Sequence, residues 1–229
     1  MKIIYVYPDL LSTYGDRGNA LVLAWALRRV GVEAEVVESP SDRPVPRDGD
    51  AYVLGGGEDG PQALAAERLR ADGYLAEVAA SSRPILAICA AFQILGTSFY
   101  ADGIERRGLG LLPVTTAPGA NRLVGEVVSA PIIPLGRGYL TGFENHSGVT
   151  TLDRGVEPLG RVISGGGNGV GGVDGAVVGS IVASYLHGPM LARNPGMVDL
   201  MIAKLGAEGS VSSALQEQLY QNRITVAGR

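Results

Sequence analysis

The stretch from Arg83 to Gly96 (Arg-Pro-Ile-Leu-Ala-Ile-Cys-Ala-Ala-Phe-Gln-Ile-Leu-Gly) constrains this chain most. Ile85–Ile88 is a short apolar run behind a proline, and reads as a strand buried on both faces. A helical pattern begins immediately after it. Cys89 alone separates the two, so it must occupy a sharp bend. Such a bend requires small neighbours, and Ala87, Ala90 and Ala91 supply them. A buried strand feeding straight into a helix belongs to a parallel α/β sheet, where ligands meet the carboxyl ends of the strands. A thiol at that edge sits beside a helix N-terminus, whose dipole favours the thiolate. Taken alone, the stretch fits an inert core cysteine equally well, since free cysteine is among the most buried residue types.

The remainder of the first half repeats the strand-then-helix pattern. Residues 2–7 read as a strand. A helix is expected from about Asn19 to Val30, with Leu21, Leu23, Trp25 and Leu27 on its inner face and Gly31 as its stop. A second strand covers roughly Glu33 to Val37. A third, Ala51–Leu54, runs into Gly55-Gly56-Gly57 and a helix from about Gln62 to Ala80. From Gly108 to Leu152 the pattern changes to β-rich pieces with frequent Gly and Pro. Antiparallel strands are expected around Leu123–Val128, Ile132–Ile133 and Tyr139–Asn145. Two short strands within Ala176–Leu186 lead to His187, and helices are expected from Asn194 to about Leu205 and from Ser210 to Tyr220. The fold class is therefore α/β: a central, mostly parallel sheet flanked by helices, with an antiparallel β extension in the second half. Residues 1–229 show no internal repeat and no linker that would split them, so one domain is expected.

Composition excludes several functions. The net charge of −4 offers no basic footprint for nucleic acid. A single cysteine cannot form an intramolecular disulfide and fits a reducing compartment. No apolar run approaches the ~18 residues that cross a bilayer. The opening Met1–Pro8 segment is too short and too soon interrupted for a signal peptide. A cytoplasmic protein without a membrane segment is expected. With two histidines and one cysteine, no metal site is expected.

Three motifs join Cys89. The triple glycine lacks the lysine and hydroxyl of a phosphate loop and the spacing of a dinucleotide loop. It reads as a tight turn, or as a stretch whose N–H groups can face a developing oxyanion. A thiol nucleophile wants a base, which leaves His187 and His146. His187 closes a strand, where a base is expected; His146, in Phe143-Glu144-Asn145-His146-Ser147-Gly148, reads as a polar structural residue. The run Gly165–Gly172 reads as a mobile loop that could serve as a flap.

These residues resemble the class I glutamine amidotransferases, whose fold is flavodoxin-like and whose nucleophile lies in a Gly-x-Cys-x-Gly-x-Gln elbow. Here the elbow is Ala87-Ile88-Cys89-Ala90-Ala91-Phe92-Gln93, with both glycines replaced by alanine. The histidine turn Tyr185-Leu186-His187-Gly188-Pro189 is closer to the cobyric acid synthase-like branch. Within that branch, Tyr7-Pro8-Asp9-Leu10, Tyr14-Gly15-Asp16-Arg17-Gly18-Asn19, Gly55-Gly56-Gly57-Glu58-Asp59 and Gly142–Gly148 resemble the glutaminase subunits of lipid II isoglutaminyl synthases. The resemblance spans nearly the whole chain. It implies that Cys89 attacks the side-chain amide of L-glutamine and that His187 is its acid and base. It implies Gly57 and Ala90 as oxyanion donors, Gln93 in the glutamine pocket and Arg122 on the α-carboxylate. It further implies a heterodimer with a Mur-ligase-like synthetase subunit. That partner, not this chain, would hold ATP and Mg and act on lipid II at the inner face of the membrane during peptidoglycan synthesis.

Triad members of class I carry a glutamate two residues after the histidine. Here that position is Pro189, so the chain is expected to lack an orienting acid and to take one from its partner. Two other functions fit the residues: an amidotransferase of corrin biosynthesis, and a binding subunit that kept the fold without turnover.

Overall fold

The computed structural model describes residues 1–135 and 138–227. In chain order the first half comprises β1 (Lys2–Val6), a 3-10 turn (Thr13–Gly15), α1 (Arg17–Arg29), β2 (Glu35–Ser39), β3 (Ala51–Leu54), α2 (Asp59–Asp72), α3 (Tyr74–Ala80), β4 (Ile85–Ile88) and α4 (Ala90–Leu95). The second half comprises β5 (Ser98–Ala101), β6 (Ile104–Arg107), β7 (Val114–Pro131), β8 (Leu140–Leu152), β9 (Gly160–Ser164), β10 (Val173–Asp174), β11 (Ala176–Val178), β12 (Ile181–Ser184), α5 (Met190–Arg193), α6 (Pro195–Lys204) and α7 (Ala214–Ala227).

The strands β3, β4 and β12 are buried at every position and β1 at all but its first. Such runs need cover on both faces, and a parallel sheet between helices provides it. The order is β11-β12-β4-β3-β1-β2, with all pairs parallel except β11–β12. Strands β1, β3, β4 and β12 therefore end side by side at one edge, and the connections leaving them build the site.

Helix α1 buries Ala20, Leu23, Ala24 and Leu27, a regular i, i+3, i+4, i+7 stripe. This shifts the expected inner face: Leu21 lies outside and Trp25 is half-buried. The expected helix over 62–80 is two helices. Gly73 separates them at φ 72°, a left-handed conformation that glycine adopts without penalty.

The antiparallel extension is larger than expected. Strands β7 and β8 form one long hairpin, and β7 runs through a second sheet ordered β10-β9-β7-β5-β6. The two sheets meet at His187, whose N–H and C=O exchange hydrogen bonds with Phe143 of β8 (2.9 and 3.1 Å). The extension thus grips the backbone just beyond β12, the last strand of the parallel sheet.

Candidate active site

Cys89 stands between β4 and α4 at φ 53°, ψ −107°. A side chain with a Cβ adopts this region only when its surroundings enforce it. Two features enforce it here: β4 is locked between β3 and β12, and the Cys89 N–H donates to Ser184 O at 2.9 Å. His187 follows β12 and is fully buried. Its Nδ1 lies 3.0 and 3.1 Å from the two carboxylate oxygens of Asp16, which is also fully buried. Asp16 Oδ2 in turn accepts the N–H of Gly56 at 2.7 Å.

The expectation that this chain lacks an orienting acid is therefore corrected. The acid comes from the loop after β1, 171 residues before the histidine. Pro189, the position where the acid was sought, packs directly against Gly18 at the start of α1. Asp16, two residues before Gly18, thereby lies within reach of the imidazole Nδ1.

Burial works against the charge on His187, but the hydrogen bond it donates to Asp16 and the nearby Cys89 sulfur more than offset it. Together they push the imidazole up to about 10. With Nδ1 on Asp16, Nε2 has no hydrogen bond to another described nitrogen or oxygen and is the nitrogen left for the thiol.

The triple glycine is explained by close approach rather than by unusual φ. A Cβ on Gly56 would come within 2.7 Å of the His187 ring, and one on Gly57 within 2.7 Å of Leu10 O. Cys89 opens into a cavity of about 490 Å³. Gly57, Ala90, Gln93 and Arg122 all line it, so of the site residues expected from the sequence only His187 lies outside its lining. Gln93 is buried and fully engaged: its Oε1 accepts from Gln62 (2.8 Å) and its Nε2 donates to Tyr185 OH (3.0 Å). Among the described residues Arg122 is held only through Nε, which donates to Asn145 Oδ1 at 2.6 Å.

Residues 2–195 match the CobB/CobQ-like glutamine amidotransferase domain. The chain belongs to that family. Among its relatives is the lipid II isoglutaminyl synthase (glutamine-hydrolyzing) subunit GatD of Staphylococcus aureus, 34% identical over 208 residues, covering 89% of this chain and 84% of that protein. Cobyric acid synthase of Sphingopyxis alaskensis is 33% identical over 194 residues, but the match covers only 36% of that longer protein. A glutamine amidotransferase from Thermotoga maritima has the same fold, with a TM-score of 0.58 at 15% identity, covering 100% of this chain and 94% of that one.

This amidotransferase departs from the sequence expectation at one further loop. Gly165–Gly172 is no flap. The N–H groups of Gly166 and Gly167 donate to the buried Glu144 carboxylate (2.8 and 2.9 Å), and Asn168 is tied twice to Gly175 (2.7 and 3.1 Å). His146, read as a polar structural residue, has its Nδ1 2.8 Å from Gly148 O and its ring stacked on Tyr185 at 3.7 Å. It also lines the cavity. The sequence reading missed Asp16, Tyr14, Asn145 and the β5–β6 hairpin, whose turn residues Asp102 and Gly103 border the cavity. An Asp-Gly pair between two β-prone runs was a usable signal for that hairpin. No helix among the described residues is long and apolar enough to cross a membrane.

Proposed function

We propose that this chain is the glutaminase subunit of a lipid II isoglutaminyl synthase. It takes L-glutamine and releases the side-chain nitrogen as ammonia. The observation that carries this reading is the strained Cys89 elbow beside a buried His187–Asp16 pair, with Arg122 bordering the same cavity.

The chemistry follows from the geometry. Asp16 fixes His187 with Nδ1 occupied and Nε2 toward the sulfur. Cys89 gives its proton to His187, and the thiolate adds to the amide carbon. The N–H groups of Gly57 and Ala90 hold the oxyanion. The imidazolium then protonates the leaving nitrogen, the C–N bond breaks, and ammonia departs from a glutamyl thioester. Water adds to the thioester with its proton passing to His187; the C–S bond breaks and glutamate leaves. Arg122 clamps the α-carboxylate bidentately, and Gln93 shapes the pocket wall.

The partner is a Mur-ligase-like synthetase subunit. It binds ATP, Mg and lipid II at the cytoplasmic face of the membrane, and consumes the ammonia to amidate the α-carboxyl of D-glutamate in the stem peptide. The subunit wording of the staphylococcal relative's name and the family's glutamine chemistry support this assignment. Co-expression with the candidate synthetase tests it. Glutamine-dependent amidation of lipid II should appear with the natural chain and vanish with Cys89→Ala, while free ammonia restores it. Amidation unaffected by Cys89→Ala would overturn the reading.

A further inference from the structure

Tyr14 and Asn145 have no part in the mechanism above, yet their geometry is enforced. Tyr14 sits at φ 54°, ψ 26° inside the 3-10 turn that precedes Asp16. A bulky residue in this region is an outlier that needs an external hold. Its ring packs edge-on to the His187 imidazole at 4.9 Å between centres. Its hydroxyl accepts a hydrogen bond from Asn145 Nδ2. The other end of that same amide, Oδ1, accepts from Arg122 Nε at 2.6 Å. Asn145 is fixed from behind as well: it lies on β8, two residues beyond Phe143, whose backbone grips His187. One amide therefore links the arginine of the pocket to the ring beside the catalytic imidazole. Tyr14, Arg122 and Asn145 all border the cavity that contains Cys89.

We propose that Asn145 is a positioning residue that couples capture of the substrate α-carboxylate at Arg122 to the seating of Tyr14 against His187. The inference rests on the glutaminase reading. Among the described residues Arg122 is held by Nε alone, so its terminal nitrogens are left to receive a carboxylate. A carboxylate on them steadies the guanidinium, and the guanidinium steadies the Asn145 amide. The amide then holds Tyr14 and the turn that carries Asp16, which keeps His187 aligned on the sulfur. An amide without an α-carboxylate leaves this chain of contacts unloaded. The device therefore selects glutamine over simple amides at the reacting centre.

Two electrophiles separate this role from a general structural one. A diazoketone analogue of glutamine carries the α-amino acid group; iodoacetamide does not. Modification of Cys89 is followed by intact-mass spectrometry for the natural chain, Asn145→Ala and Tyr14→Phe, with kcat and KM for glutamine hydrolysis measured in parallel. Tyr14→Phe keeps the ring and deletes only the hydrogen bond, so it guards against a folding defect in Asn145→Ala. Both variants should slow labelling by the analogue about tenfold, on the order of one hydrogen bond lost. Labelling by iodoacetamide should change less than about twofold, and KM for glutamine should rise. Equal slowing with both reagents, or no slowing with the analogue, would overturn the inference. If iodoacetamide labels the natural chain and the analogue does not, the glutaminase reading fails instead.

Discussion

Cys89, Tyr14 and Asp102 are three of the five described non-glycine residues with positive φ, and all three border one cavity. The turn at Asp102 uses its positive φ as an Asp-Gly hairpin does, so the strain falls on Cys89 and Tyr14, at a cost of order 1–3 kcal/mol for each residue. One consequence is measurable at Cys89. Cys89→Gly should be more stable than Cys89→Ala by about 1 kcal/mol in urea unfolding, because glycine tolerates the left-handed bend. The usual order, alanine above glycine, would show that the elbow is unstrained. A second consequence concerns Asp16. Asp16→Asn should lower kcat by about 10³-fold or more while leaving the fold intact, since the imidazole loses the group that fixes its tautomer. The sign of the pH effect follows from His187, which is pushed up to about 10 with Asp16 in place. The imidazolium that protonates the leaving nitrogen is present below that value and is lost as pH rises through it. Without the carboxylate the loss comes at lower pH, so the alkaline limb of the pH–rate profile should move toward neutrality in Asp16→Asn. An unmoved limb would assign it to another group.

At the scale of elements, three loops at the carboxyl edge of the parallel sheet and one strand of the second sheet share the work. The loop after β1 brings Asp16, the turn after β3 brings the glycines, the elbow after β4 brings Cys89, and β8 grips His187. The turn after β3 shows how tightly they fit. Gly56→Ala should displace His187 and cut turnover by about 10²-fold, because a Cβ there has no room beside the ring. Unchanged turnover would mean that the turn can yield. Behind the site, Asp174 of β10 braces the end of β12, accepting from Ser184 Oγ at 2.6 Å and from Tyr185 N at 3.3 Å. Complete burial outweighs these hydrogen bonds and pushes its carboxyl up to about 6. A folded-state value raised above the unfolded 3.8 contributes stability at low pH that is lost as pH rises through about 6. Urea midpoints should therefore show Asp174→Asn gaining on the natural chain between about pH 4 and pH 7. A difference independent of pH would contradict this. The element types were mostly legible in the sequence, since apolar runs bounded by Gly and Pro mark buried strands. The length of the β7–β8 hairpin was not. Its strands alternate irregularly across a bulge between Pro118 and Leu123, and many positions are only half-buried.

For the whole molecule, the main consequence is that Cys89, His187 and Asp16 all lie in one chain. The isolated chain should react stoichiometrically with a glutamine-analogue electrophile at Cys89 and hydrolyse glutamine without its partner. A chain inert until the synthetase is added would show that the partner still has to complete the site. The sequence by itself determined the sheet, its working edge, and the places of the cysteine and the histidine on that edge, because these depend on local pattern. A short apolar run, small residues around a bend and a histidine at a strand end are readable within a dozen positions. Only the tertiary structure decided which acid orients the histidine, what Gly165–Gly172 is for, and how Arg122 is held. Each of these is a contact between segments far apart in the chain: Asp16 with His187, Glu144 with Gly166 and Gly167, Asn145 with both Arg122 and Tyr14. Side-chain partners at such separations follow from how the strands are ordered and how the second sheet docks on the first. In the Cys89 elbow the two kinds of information meet: the neighbouring residues allow the bend, and the packed sheet holds it.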